Sequence, residues 1–304
     1  MSIKKANSTL DILKFLCAIL ILGSHCLPIL KNEMFNLYYG QWFFRFAVPL
    51  FFISSGYFFS RMDAEKKKTY IKRIFMLYIG ATAVYSPFIA STVLNRRFFE
   101  AVKQVFLGYS HLWYLSALFI GLLVFYYFEK KNVLSKINRT IQYLTIATIL
   151  LVGAFFGEYY KLVDIPLITA VGEFIKKLGG IRHAPFFGIP LIWVGRCIAE
   201  TNIENKCSLM KCGTFLAGAV LLSLGEFLFL KQQFGTALRC DLTLFNWLPA
   251  VPLFVLSFHM QVSVKTEFAH MLRKMADVVY IIHPWIIFCC GSFRSNIGWD
   301  SYVR

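Results

Sequence analysis

The sequence predicts an all-α polytopic membrane protein, a transmembrane helix bundle of about nine or ten spanning helices. Three observations carry that expectation. The chain is 58% hydrophobic with a mean hydropathy of +0.60, against about 45–50% apolar residues in soluble domains. Its apolar residues fall into long runs separated by short polar segments. Its cations, which give a formal net charge of +16, lie mostly in those short segments. Topology and anionic lipid account for them there better than a nucleic-acid partner does.

The first run, from Leu10 to Leu30, is LDILKFLCAILILGSHCLPIL, long enough to cross a bilayer. It carries Asp11, Lys14 and His25. Lys14 and His25 are eleven positions apart, three helical turns plus about 20°, which puts them on one face about 16 Å apart along the axis. Asp11 lies on that face too. Ionisable groups down one side of a span are costly unless they face protein or water, and so mark a functional cavity. The alternative is that Asp11 and Lys14 snorkel to one interface while His25 sits at the other.

Eight further spans are expected at 42–60, 70–93, 111–128, 141–157, 185–199, 212–230, 242–262 and 276–293. The segment 158–184 mixes apolar residues with Glu158, Lys161, Asp164, Glu173, Lys176 and Lys177, and is expected as a long loop with an interfacial helix. With the N-terminus cytoplasmic, the inner segments hold 17 Lys and Arg and the outer ones 12. RMDAEKKKTYIKR after the second span is the strongest inside signal. Nine spans then place the C-terminus outside, and the tail GSFRSNIGWDSYVR is not a tenth. The first run lacks a small-residue cleavage site after it and is expected to stay as a helix. No repeat, low-complexity segment or second domain is visible, so 1–304 is one membrane domain. The eight cysteines include no CxxC and several lie in apolar runs. That argues against a disulfide framework or a zinc site, and no metal is expected.

In this orientation several polar residues reach a similar outer depth: His25, Arg45 in RFAVPLFFISSGYFF, His111 in HLWYL, and Arg182 with His183 before the sixth span. Convergence of this kind points to a site; the other reading is that each anchors a helix end. Trp113 and Tyr114 are belt anchors or ligand contacts. Tyr280 and His283, in VVYIIHPW, fall inside the ninth span, where Pro284 frees a carbonyl. His283 either joins the same cavity or packs in the core. Ser54, Ser55 and Gly56 fit close helix packing. Glu226, alone in its apolar run, is expected to pair internally. There is no HExxH, Walker loop or dinucleotide fingerprint.

Taken together, these pieces resemble the acyltransferase 3 family of integral membrane proteins. LDILKFLCAILILGSH is similar to that family's first helix, with a basic residue, ten intervening residues and then His; here the base is Lys14 where Arg is more usual. RFAVPLFFISSGYFF, HLWYLSALFIG, APFFGIPLIWVG and VVYIIHPWII are similar to later helices of the family, in the same order. The family commonly has ten spans, so this chain is expected to lack a final helix. The resemblance implies a multi-pass protein of the bacterial inner membrane. It would move an acyl group, commonly acetyl from acetyl-coenzyme A, to a hydroxyl of a cell-envelope polysaccharide or lipid-linked sugar. It implies His25 as the base, with Lys14 and Arg45 contacting the donor or the transition state. Asp11, His111, Trp113, Tyr114, Arg182, His183, Tyr280 and His283 are the expected substrate-binding residues. The basic segment 61–73 would attract an anionic coenzyme from the cytoplasm. The partners implied are the bilayer, acyl-coenzyme A and the acceptor, with no nucleic acid. The motifs also resemble the membrane domain of membrane-bound serine racemases of vancomycin resistance, which implies an alternative role in serine transport or binding.

Overall fold

Backbone polar groups inside a bilayer must be satisfied within the chain, and helices do this here. The computed structural model describes residues 7–294 other than 29, 96, 236, 237, 261 and 263, and among these there is no β-strand. Helix α1 (Ser8–His25) starts at Asn7, whose side chain accepts from the Leu10 amide at 3.0 Å. It ends at His25, so residues 26–28, expected to continue it, lie outside the helix. A short α2 (Glu33–Tyr38) and a π-helical turn (Tyr39–Phe43) lead into α3 (Ala47–Ser60).

Helix α4 (Ala64–Val84) begins earlier than expected. The Asp63 carboxylate accepts from the Lys66 amide at 2.8 Å and pairs with its ammonium at 2.7 Å, so most of the basic cluster at 61–73 is helix rather than loop. α5 (Ser86–Leu94) continues α4 after a 56° bend. α6 (Phe98–Leu107) occupies a stretch expected to be loop. α7 (Trp113–Lys130) and α8 (Arg139–Gly157) follow. The 158–184 segment holds a 3-10 turn (Tyr159–Leu162) and α9 (Pro166–Lys177), in line with a loop carrying a helix. After a π-helical turn (Ala184–Gly188) come α10 (Ile189–Thr201), α11 (Ile203–Lys206), α12 (Leu209–Phe234), α13 (Ala250–His259) and α14 (Thr266–Arg294). The tail expected not to be a tenth span, and Lys4 and Lys5 of the topology count, lie largely outside the described residues, as do the side chains of Cys289 and Cys290.

By length and apolarity five stretches can cross a membrane: Ser8–His25, Glu33–Ser60, Ser110–Lys130, Arg139–Gly157 and Leu209–Phe234. The bent pair Ala64–Val84 with Ser86–Leu94 makes a sixth. The count of nine or ten goes beyond what these criteria establish. The expected span at 185–199 is a 13-residue helix after a π turn. The one at 242–262 contributes only the ten residues of α13, because 242–249 is not helical. The one at 276–293 is the later part of α14; it includes Asp277, and Arg273 and Lys274 lie just before it.

Helices α3 and α10 form the centre. At Gly56 an added Cβ would stand 2.0 Å from the Ile192 carbonyl oxygen, and at Gly195 one would stand 2.0 Å from that of Ile53. The two backbones therefore touch, as small residues permit in membranes. Around the crossing, Leu50, Phe52, Ile53, Tyr57, Leu191, Ile192 and Phe254 are buried. At one end of this pair, Arg61 donates to the carbonyl of Ala199 (3.2 Å), the amide oxygen of Asn202 (2.7 Å) and the buried Glu204 (2.7 Å), which also accepts from Tyr57 at 2.8 Å. Nearby, Glu129 accepts from Lys67 (2.5 Å) and Arg196 (3.0 Å). This is the Arg61 end of the bundle; α1 finishes at the other, the His25 end.

Gly56→Ala and Gly195→Ala are expected to fail to accumulate or to melt well below the parent in detergent. Overpacking costs about 1–3 kcal/mol and more where the obstacle is backbone. Gly213→Ala, where the new methyl meets nothing within 4 Å, is expected to melt with the parent or slightly above it.

Candidate active site

Three imidazoles meet at the His25 end. His25 is the last residue of α1, His111 lies in the 3-10 turn before α7, and His283 lies one residue before Pro284 in α14. The His25 and His283 rings are 5.0 Å apart between centroids, and the His111 and His283 rings 4.8 Å. His283 is thus the middle member and is 1% exposed; His111 is buried as well, whereas His25 is accessible. His283 Nδ1 lies 3.0 Å from the Val279 carbonyl oxygen. A neutral His283 holds that contact by carrying its proton on Nδ1, leaving the lone pair on Nε2. His283 Nε2 and both His111 nitrogens are buried without a hydrogen-bond partner among the described residues. Buried polar atoms are nearly always satisfied, and three orphaned ring nitrogens beside an accessible imidazole single this cluster out as the candidate site.

Aromatic residues wall the cluster. Tyr280 donates its hydroxyl proton to the His111 carbonyl at 2.6 Å, and its ring lies 5.6 Å from that of Tyr114. Tyr85 stands edge-on to His111 at 5.1 Å and donates to the Ile281 carbonyl at 2.7 Å. Trp113 packs against Phe52 and Phe187. The HLWYL and YIIHPW pieces therefore form one wall.

The cationic half comes from the segments that precede α3 and α10. Arg45 donates to Asp241 (2.8 Å), to the Gln41 side chain (2.6 Å) and to the Gly40 carbonyl (3.1 Å). Arg182 pairs with the other oxygen of Asp241. One carboxylate thus clamps two guanidiniums, both within electrostatic reach of His25. Asp241 and Gln41 were not singled out in the sequence. Asp241 sits directly before a stretch expected to be a span, and its only signal is that it is an acid among cations. Arg182 and His183 also line a cavity of about 660 Å³ between α6, α7 and the 158–183 segment, together with Trp113 and Asp241. Burial holds the His183 imidazole below its ordinary value.

Asp11 and Lys14 lie away from the imidazoles, toward the Arg61 end of α1. Asp11 is buried and takes two hydrogen bonds from Arg273 of α14, at 2.9 and 2.6 Å. That pairing occupies a residue expected to bind substrate and joins the first helix to the last. The Lys14 ammonium sits over the Phe58 ring, 5.7 Å from its centroid. The structure thus brings His25, His111, His283, Tyr280 and Tyr114 together, and sets Arg45, Arg182, His183 and Trp113 beside them. Among the described residues no group of three or more His, Cys, Asp or Glu is arranged to hold a metal ion.

Asp241→Asn is expected to lower thermal stability by about 1–3 kcal/mol, because it leaves two half-buried cations facing each other. Adding Arg182→Gln to it should recover part of that loss. Melting curves of the two variants and the parent check the coupling.

A family model described as an acyltransferase domain matches residues 7–302. Two amino-acid racemases of Enterococcus faecalis are similar to the chain. One is 29% identical over 205 residues, covering 62% of this chain and 28% of the relative; the other is 24% identical over 322 aligned residues, covering 96% and 42%. A serine/alanine racemase of Enterococcus gallinarum is 24% identical over 300 residues, covering 92% of this chain and 41% of its own length. The chain spans less than half the length of these curated relatives. No solved structure matches. With nearly its whole length matched and its long apolar helices packed into one bundle, the chain is a multi-pass membrane protein that belongs to the acyltransferase 3 family.

Proposed function

We propose that this membrane acyltransferase takes an acyl group, acetyl in the simplest case, from acyl-coenzyme A and places it on a hydroxyl of a cell-envelope glycan. In this reading it lies in the bacterial inner membrane with its N-terminus in the cytoplasm and its His25 end outward. The observation that carries the reading is the accessible His25 imidazole backed by the buried pair His283 and His111, with the clamped guanidinium of Arg45 nearby.

The chemistry follows from those groups. Neutral His25 takes the proton of the acceptor hydroxyl as its oxygen attacks the thioester carbonyl carbon. The carbonyl π electrons move onto oxygen and collapse back as the carbon–sulfur bond breaks. The coenzyme thiolate leaves and receives the proton from His25. Proton transfer of this kind contributes about 10²–10⁴-fold. Arg45, held rigid by Asp241, Gln41 and Gly40, stabilises the transient oxyanion without reorganising. Lys14, about 16 Å along α1 from His25, meets an anionic part of the donor remote from the thioester. The coenzyme is a substrate, and no metal takes part in these steps.

The test is transfer of radiolabelled acetyl from acetyl-coenzyme A to envelope material by membranes containing the full chain. His25→Ala should cut transfer by about 10²–10⁴-fold at unchanged protein level; full retained activity removes the reading. Lys14→Ala should raise the KM for the donor and leave kcat nearly unchanged.

The racemase names of the relatives favour a second reading, a membrane module that binds or transports serine. Uptake of labelled serine that needs no coenzyme A would favour it over acyl transfer.

A further inference from the structure

Helix α14 lies along α1. Arg273 holds Asp11 toward the Arg61 end, and further along the same helix the His283 ring meets the His25 ring. The order Tyr280, His283, Pro284 within α14 fixes the state of that ring. Proline has no amide proton, so Pro284 leaves the Tyr280 carbonyl, four residues earlier, without its helical donor. The Tyr280 and Val279 carbonyls both accept from the His283 ring, Val279 at 3.0 Å from Nδ1. Two acceptors there keep the proton of the neutral ring on Nδ1. Nε2 is thereby committed as an acceptor, in a ring that is 1% exposed.

Two imidazoles are near enough to be the partner of that atom. His111 meets His283 at 4.8 Å between centroids with the planes at 65°, edge against face, which is a packing geometry. His25 meets it at 5.0 Å with the planes at 30°. Two imidazoles that share an N–H···N bond of about 3 Å have centroids about 5 Å apart. Nε2 is unengaged in the structure, and hydrogen bonds of an active site are often open before substrate binds and tighten with it. Of the two rings, His25 is the accessible one.

We infer that His283 is a positioning residue for His25. Its Nε2 accepts the N–H of His25, so the other His25 nitrogen carries the lone pair that takes the proton of the acceptor hydroxyl. The inference rests on the acyl-transfer reading for that last step. A base oriented by a third group is the general arrangement of activated nucleophiles; here a neutral imidazole stands where a carboxylate is more common. When His25 becomes an imidazolium, the bond to His283 strengthens, because its donor is then charged. The His283 proton stays on Nδ1 throughout. Pro284 belongs to the device, since the carbonyl it frees helps to hold that proton in place.

The test uses the full chain in liposomes. His283→Leu replaces the ring by an apolar side chain with no acceptor, and His283→Gln keeps an oxygen near the position of Nε2. His283→Leu should lower kcat for acetyl transfer about 10²-fold with the KM values for donor and acceptor unchanged, and His283→Gln should stay within about tenfold of the parent. Solid-state NMR of isotope-labelled histidine nitrogens reads the tautomers without any transfer. His283 should carry its proton on Nδ1. His25 should be a single tautomer in the parent and in His283→Gln, and a mixture of both in His283→Leu. Each of three results overturns the positioning role: a His283 proton on Nε2, His25 signals identical in the parent and His283→Leu, or equal kcat losses in the two variants. If His283→Leu does not accumulate, the tautomers of the parent and of His283→Gln decide. A parent that shows the expected tautomers but transfers no acetyl sinks the acyl-transfer reading and leaves the positioning of His25 standing.

Discussion

The contact on which the rest of the architecture depends is backbone against backbone. Gly56 and Gly195 let α3 and α10 approach until each helix rests on the other's carbonyl oxygens. Lipid tails are as apolar as leucine, so such a pair is held by dispersion at short range rather than by exclusion of water. The two helices run in the same direction. Arg45 and Arg182 precede their starts and share Asp241, and Arg61 reaches Ala199 and Asn202 at their ends. The site is therefore not assembled by its own polar contacts alone. Two guanidiniums can share one carboxylate because a nonpolar crossing several turns away sets the helices side by side.

Charge is distributed over this frame in two different ways. Most buried ionisable groups are closed pairs across helices: Asp11 with Arg273, Glu204 with Arg61, and Glu129 with Lys67 and Arg196. Pairs of this sort cost much of what they return in desolvation, and their value is in fixing which helix meets which. The imidazole cluster differs. It is packed by aromatic rings, yet ring nitrogens of His111 and His283 remain unengaged. Among the described residues three unengaged ring nitrogens gather in this cluster, while Thr82, His183 and His259 contribute single unengaged polar atoms elsewhere.

The division between what the sequence reveals and what it hides follows the range of the signal. The stripe of Asp11, Lys14 and His25 is visible because helical periodicity is local. Small residues in SSGYFF are visible as packing residues for the same reason. That Asp11 answers Arg273, across 262 positions, leaves no local trace. The expected span at 242–262 misled because apolarity alone carried it. Pro249 and Pro252 belong in a helix's first turn, where missing amide protons cost nothing, and the helix does begin there. α6 was hidden by its charges, although Phe98, Val102 and Val105 recur at helical spacing. The motifs around His25, Arg45 and His111 were legible as types of residue at one depth. The sequence leaves His283 open between that cavity and core packing, and its place between the other two rings has no local signal.

Glu226 shows how the unwound stretch 242–249 is tolerated. Its carboxylate accepts from the Thr243 hydroxyl at 2.6 Å, from the amides of Leu244 and Phe245 at 2.6 and 2.8 Å, and from the Tyr159 hydroxyl. Both of its oxygens accept, so they serve amides that have lost their helical carbonyls, whereas a glutamine would turn a donor toward one of them. A solitary acid in an otherwise oily helix thus betrays an interruption in its neighbour, and related chains that keep the acid should keep the interruption with it.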